Sequence, residues 1–210
     1  TTMQKVLSMI LVLVMLLSLM SMSAFTMATN ETGASSSARN DFMRVFHLDC
    51  GRKYFSVAEI KSLIDTASAA NYTHIELAVG NDSLRFLLDD MSVTVDGKTY
   101  ASDDVKTQIH NGNVKYYDAG SVNELSQSDM DAIIAYAQSK NISIIPLINT
   151  PGHMDAILSA ATSLTGVNCS AYDSVRTIDV ANTTAVAFTQ ALLQKYINYF
   201  AGKGCGYFNM

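Results

Sequence analysis

Two hydrophobic rhythms alternate along the chain from residue 45 onward. Runs dense in Val, Ile and Leu at 45–48, 74–79 and 142–148 are short and bounded by polar or turn residues. They predict strands, the first of them short and buried. Between these runs the apolar residues recur every three or four positions. Ile60, Leu63, Ile64 and Ala67 follow Ser56-Val57-Ala58-Glu59, where a Ser and a Glu three apart have the form of a capping box. Ser126 is placed to cap a helix with Met130, Ile133, Ile134 and Ala137 on its apolar face. Asn182 is placed to cap a last, long helix carrying Phe188, Leu192 and Tyr196. Residues 206–210 read as the start of a further strand. Residues 81–125 hold no single period and read as a less regular insertion. The exception is 92–100, where Asp96-Gly97 between β-forming residues predicts a tight hairpin.

The resulting order is strand, helix, strand, insertion, helix, strand, helix, strand. That order predicts an α/β fold with a parallel sheet and helical crossovers. Periodicity does not separate an open doubly wound sheet from a barrel. No GxGxxG follows the first strand and no GxxxxGK[ST] occurs, so the signature of a nucleotide fold is missing.

Composition changes this picture mainly at the N-terminus. Lys5 precedes a nearly unbroken apolar run at 6–20, and small residues follow, with 21–23 or 26–28 placed to precede cleavage. Residues 1–28 therefore read as an export signal and 29–42, rich in Ser, Ala, Thr and Asn, as a linker. This implies a secreted or cell-surface protein that meets a membrane only through its signal or a surface anchor. The net charge of −5 makes a nucleic-acid backbone a poor partner. Cys50, Cys169 and Cys205 are odd in number and form no CxxC. They fit free thiols better than a disulfide framework or a zinc site, with one disulfide plus a spare thiol as the alternative. Neither a metal nor another cofactor is expected.

In either parallel architecture, chemistry gathers at the carboxyl ends of the strands. The first predicted strand is followed by Asp49, Gly51 and Arg52, and the second by Gly80-Asn81-Asp82, with Arg85 beyond. The third ends in Asn149, then Pro151-Gly152-His153. Taken singly, each has an ordinary reading: Arg52 in a surface ion pair, Asn81-Asp82 in a turn, Asn149 bonding backbone, His153 capping a helix. On one rim, together, they would form a polar pocket able to bind several hydroxyls and to tune a proton donor.

Three segments, "HLDCGRKYFS", "HIELAVGNDSLRFLLDDMS" and "IIPLINTPGHMDAIL", resemble the first half of the catalytic barrel of glycoside hydrolase family 20, the β-N-acetylhexosaminidases and lacto-N-biosidases. The resemblance implies a TIM (β/α)8 barrel of which residues 43–210 hold strands one to four. It implies that Arg52 holds hydroxyls of a terminal sugar, with Asp49 and Asn149 on the same substrate-binding rim. Asp82, matched with a one-residue shift, and His153 would form a relay toward the catalytic acid, Pro151-Gly152 turning the chain so that His153 faces the pocket. Many relatives carry an Asp where Asn149 stands. The implied chemistry removes terminal β-linked N-acetylhexosamine from an oligosaccharide or glycoconjugate by retaining, substrate-assisted hydrolysis. The Asp-Glu pair that the family uses as acetamido-orienting group and acid does not occur in these 210 residues, and neither does any Trp. The chain therefore reads as an incomplete gene product, inactive alone. Three alternatives stand beside this reading: a lacto-N-biosidase releasing a disaccharide, a non-catalytic glycan-binding surface protein, and, should the strand-end residues not converge, an unrelated exported α/β protein.

Overall fold

Strand β1, Val45–Asp49, lies parallel to β2, His74–Asn81, with Val45 opposite His74 and Asp49 opposite Ala78. Strand β6, Ser143–Ile148, lies parallel on the other side of β2, with His74 opposite Ser143 and an irregularity between Ala78 and Gly80. These relations come from a computed structural model that describes residues 42–172 and 174–210. The expected export signal and linker therefore lie outside the described residues, except for Phe42. At the outer side of β6, Asn209 N donates to Pro146 O (2.8 Å) and Ile148 N to Asn209 O (3.1 Å), so the 206–210 stretch begins a parallel strand there. The parallel strands thus add in chain order, each beyond the last, and no topological switch point occurs among the described residues. No closed barrel is present among them either.

The pleat divides the sheet into two faces. Phe46, Leu48, Ile75, Leu77, Val79 and Ile144 join one hydrophobic cluster with the helices, including Ile60 and Ile64 of α1 (Val57–Ala69) and Met130 and Ile133 of α3 (Gln127–Ser139). The opposite face carries His47 and Glu76, joined Nδ1 to Oε2 at 2.6 Å, and Asn209 Nδ2 donates to Glu76 Oε1 at 2.6 Å. The first strand is therefore not buried throughout: Val45 and His47 are exposed while Leu48 is covered. The period of two puts alternate side chains on a face without helices.

The helix starts follow the local chemistry of their caps. Ser56 Oγ accepts from Glu59 N and Glu59 Oε2 accepts from Ser56 N, the reciprocal box expected. Ser126 caps α3 with Asp129 in the same reciprocal role. Asn182 Oδ1 accepts from Ala185 N at the start of α5, Thr183–Gly202. The hairpin also forms, with β4 Val93–Val95 and β5 Lys98–Tyr100 joined through Asp96 (φ 51°) and Gly97 (φ 78°), both left-handed as a primed turn demands.

Two helices were not expected. The 81–125 insertion holds a short strand β3, Ser83–Leu84, folded back antiparallel on β2, and a sixteen-residue helix α2, Ser102–Tyr117. Helix α2 buries only Val105, Ile109, Gly112 and Asn113, a stripe too poor in apolar residues to read as a helix face. A helix α4, Asp155–Thr165, begins directly after the 149–153 turn. Gly112 lets the two helices touch: a Cβ there would lie 2.8 Å from the carbonyl oxygen of Ala156.

Candidate functional site

The two segments that carry the site are locked to each other through the backbone. Asp82, one residue past β2, and His153, five past β6, both adopt left-handed backbone angles, φ 63° and φ 56°. Asp82 N donates to His153 O (2.6 Å), and Ala156 N donates to Asp82 O (2.9 Å). Non-glycine residues hold such angles only where their surroundings fix them.

On this frame the Asp82 side chain, 2% exposed, is the hub. Arg52 Nε donates to its Oδ2 at 2.8 Å, Tyr116 Oη donates to the same oxygen at 2.9 Å, and His153 Nδ1 lies 2.8 Å from its Oδ1. Arg176 Nε stands 3.9 Å from Oδ1. Burial works to raise the Asp82 pKa, but the hydrogen bonds from Arg52, His153 and Tyr116 outweigh it and hold the carboxyl down at about 2. An anion at Asp82 makes Nδ1 of His153 the protonated nitrogen. Arg52 Nη2, 3.2 Å from the same Nδ1, is then a close neighbour rather than a second bond. Nε2 is left free to act on a third group.

A second chain of contacts runs along the same rim. Asp49 Oδ1 accepts from Gly51 N (3.1 Å) and Arg52 N (3.0 Å), which folds the turn that presents Arg52. Asn81 Nδ2 donates to Asp49 Oδ2 (2.7 Å), and Asn149 Nδ2 donates to Asn81 Oδ1 (2.8 Å). All five expected site residues are therefore on one rim. Arg52, Asp82 and His153 are in direct contact; Asn149 reaches Asp49 only through Asn81. Gly51 is required here, since a Cβ would come within 2.5 Å of Asn81 N. Arg85, expected at the rim, is buried beneath it: Nε donates to Gly51 O (3.0 Å), Nη1 to Asn123 O (2.7 Å), and its guanidinium lies 4.3 Å over the Tyr117 ring.

Sequence reasoning did not reach Tyr116, Asp155 or Arg176. Tyr116 belongs to the unexpected helix α2. Asp155 is the first residue of α4, two beyond His153, a spacing that could have drawn attention. Arg176 sits in a loop without a local signal, yet its Nη2 lies 3.5 Å from Asp155 Oδ1. Burial raises the Asp155 pKa, Arg176 opposes that shift, and Asp82 reinforces it. These three residues line one side of a cleft of about 460 Å³ between α2 and α4. Among the described residues no group of three or more His, Cys, Asp and Glu is arranged to hold a metal ion. The three cysteines are free, Cys50 and Cys169 of them buried.

Parallel strands wound in consecutive order, with a polar rim at their carboxyl ends, define an α/β fold that gathers side chains at one end of its sheet. Residues 42–207 match the model for glycosyl hydrolase family 20, catalytic domain, and the chain belongs to that family. Solved structures agree. A structure of the tandem catalytic modules of the pneumococcal exo-β-D-N-acetylglucosaminidase StrH is 47% identical, with a TM-score of 0.76 over 79% of this chain and 41% of that one. Another, of StrH described as a pneumococcal virulence factor, gives 47% identity and a TM-score of 0.73 over 76% and 40%. The β-N-acetylhexosaminidase of Streptomyces coelicolor A3(2), 24% identical, shares the fold with a TM-score of 0.57 over 75% of this chain and 30% of that one. The chain thus spans about two-fifths of the length of the StrH chains it matches.

Proposed function

We propose that this chain carries the sugar-holding and proton-relay side of a glycosidase site of the β-N-acetylhexosaminidase type, acting on terminal β-linked N-acetylhexosamine of a glycan. The observation that carries the reading is the Asp82 hub, which takes Arg52 on one oxygen and His153 on the other. With one edge committed to Asp82, the Arg52 guanidinium keeps donors for sugar hydroxyls, which bidentate geometry suits. His153, donating from Nδ1 to an anion, is a base at Nε2 that would hold and tune a carboxylic acid at the scissile oxygen. Retaining hydrolysis then follows with the substrate's own acetamido oxygen as nucleophile, an exception to the two-carboxylate scheme. The consecutive winding of β1, β2 and β6, with Asn209 beyond, supports the first strands of a (β/α)8 barrel. The apolar 6–20 run after Lys5 supports export to the cell surface or medium.

No Asp-Glu dipeptide occurs in the 210 residues, so relay and acid are not both supplied by them. The chain alone is therefore expected to leave a chromogenic β-N-acetylglucosaminide intact. Its binding half is testable directly. Titration of N-acetylglucosamine into isotope-labelled protein is expected to shift amide resonances at Arg52, Asp82 and His153, and Arg52→Met to weaken that response at least tenfold. Resonances that stay still, or that respond equally in Arg52→Met, would remove the sugar-binding assignment.

A further inference from the structure

The cleft between α2 and α4 is not part of the Arg52–His153 rim, but it shares a wall with it. Tyr116, Asp155 and Arg176 line the cleft; Tyr116 also donates to Asp82, and Arg176 Nε stands 3.9 Å from it. Its about 460 Å³ fall within the ~300–1,000 Å³ of small-molecule sites.

The lining has a definite chemistry. Ser159, Thr162 and Ser163, at i, i+3 and i+4 of α4, set hydroxyls along one wall, and Asn168 and Ser170 belong to the facing loop. Val175 supplies exposed apolar surface beside them, with Leu158 buried beneath. At the Asp155 end the carboxylate is nearly buried, and its Oδ2 has no hydrogen-bond partner among the described residues, although Arg176 serves Oδ1. That oxygen is closed off from solvent, so the polar chemistry a ligand would meet in the cleft lies with its hydroxyls and the Asn168 amide. Arg176 is already matched by Asp155 and Asp82, so the charge of the cleft reduces to Lys115. Groups that both donate and accept, with an apolar strip beside them, suit a polyol better than an anion.

We propose that this cleft is a second saccharide site, taking a neutral sugar unit independently of the ring held at Arg52. The choice of ligand class rests on the reading of the Arg52 rim as a sugar site. The location of the site rests on the cleft alone.

The test uses the whole chain and three probes: methyl β-D-galactopyranoside, methyl α-D-mannopyranoside and methyl β-N-acetylglucosaminide, with inorganic sulfate as comparison. At least one glycoside is expected to shift the amides of Ser159, Ser163 and Ser170. Ser159→Leu, which fills the cleft, is expected to weaken that response at least tenfold, and Arg52→Met to leave it within twofold. Ser163→Trp, at an exposed helix position, is the second cleft-filling variant should Ser159→Leu fail to give a dispersed native spectrum. The proposal is overturned if no glycoside moves the cleft amides, if sulfate alone does, or if the response follows Arg52→Met instead of the cleft variants. Failure of the rim reading shows separately, as an absence of shifts at Arg52, Asp82 and His153 while the cleft amides still respond.

Discussion

A single buried carboxylate carries much of the electrostatics. Asp82 falls from 3.8 to about 2 on folding because the bonds from Arg52, His153 and Tyr116 outweigh burial. A depressed folded-state pKa means that the unfolded chain takes up the proton first. The contribution is complete above about pH 4 and is lost as pH falls through about 2. At 1.36 kcal/mol per unit it amounts to about 2 kcal/mol. Asp82→Asn is therefore expected to cost about 2 kcal/mol at neutral pH and to flatten the acid limb of stability, read from urea midpoints between about pH 6 and about pH 2.5. Tyr116→Phe removes one donor to the same oxygen and is expected to cost about 1 kcal/mol while leaving most of that limb in place. An acid limb unchanged in Asp82→Asn would transfer the effect to other carboxylates.

Between elements, the most exacting contact is that of α2 with α4. Alanine at position 112 gains up to about 1 kcal/mol of helix propensity over glycine. Its Cβ, however, would meet the Ala156 carbonyl oxygen at 2.8 Å and the Ala156 Cα at 2.9 Å, backbone that cannot rotate away. Overpacking of this sort costs about 1–3 kcal/mol, so Gly112→Ala is expected to lower thermal stability. Gly202→Ala, where nothing lies within 4 Å, is the control expected to be neutral or better. The same helices mark the limit of what the sequence discloses. Caps at Ser56, Ser126 and Asn182 and the Asp96-Gly97 turn were legible because each is a local rule acting on neighbours. Helix α2 was not, because tertiary contacts stabilise it: Asn113, wholly buried, accepts from Leu84 N and donates to Leu84 O, covering β3 with a polar side chain where pattern reading looks for an apolar one. The rim at Asp49, Arg52, Asp82, Asn149 and His153 could be read because parallel topology sends strand ends to one side. Its supports, Tyr116, Asp155 and Arg176, come from a helix, a helix start and a loop with no such rule.

At the scale of the whole described sheet, the outer side of β6 is covered by little of the described chain. On the side of β6 away from β2, Asn209 is the one described residue that pairs with it, through two backbone bonds, with a third contact from its side chain to Glu76. Deleting residues 206–210 is expected to bare the β6 edge and raise self-association, measured by light scattering against the full chain at equal concentration. Stability would change less than solubility, since the core cluster draws chiefly on other residues. Arg85 acts at this same scale, tying the turn that bears Arg52 to the distant 118–125 segment. It grips carbonyl oxygens, Gly51 O and Asn123 O, which every amino acid possesses. Random mutagenesis should therefore find position 123 permissive to exchange but the segment intolerant of lengthening, while Arg85 itself admits no substitute, lysine included. What a lineage must inherit there is a span of main chain, not its spelling.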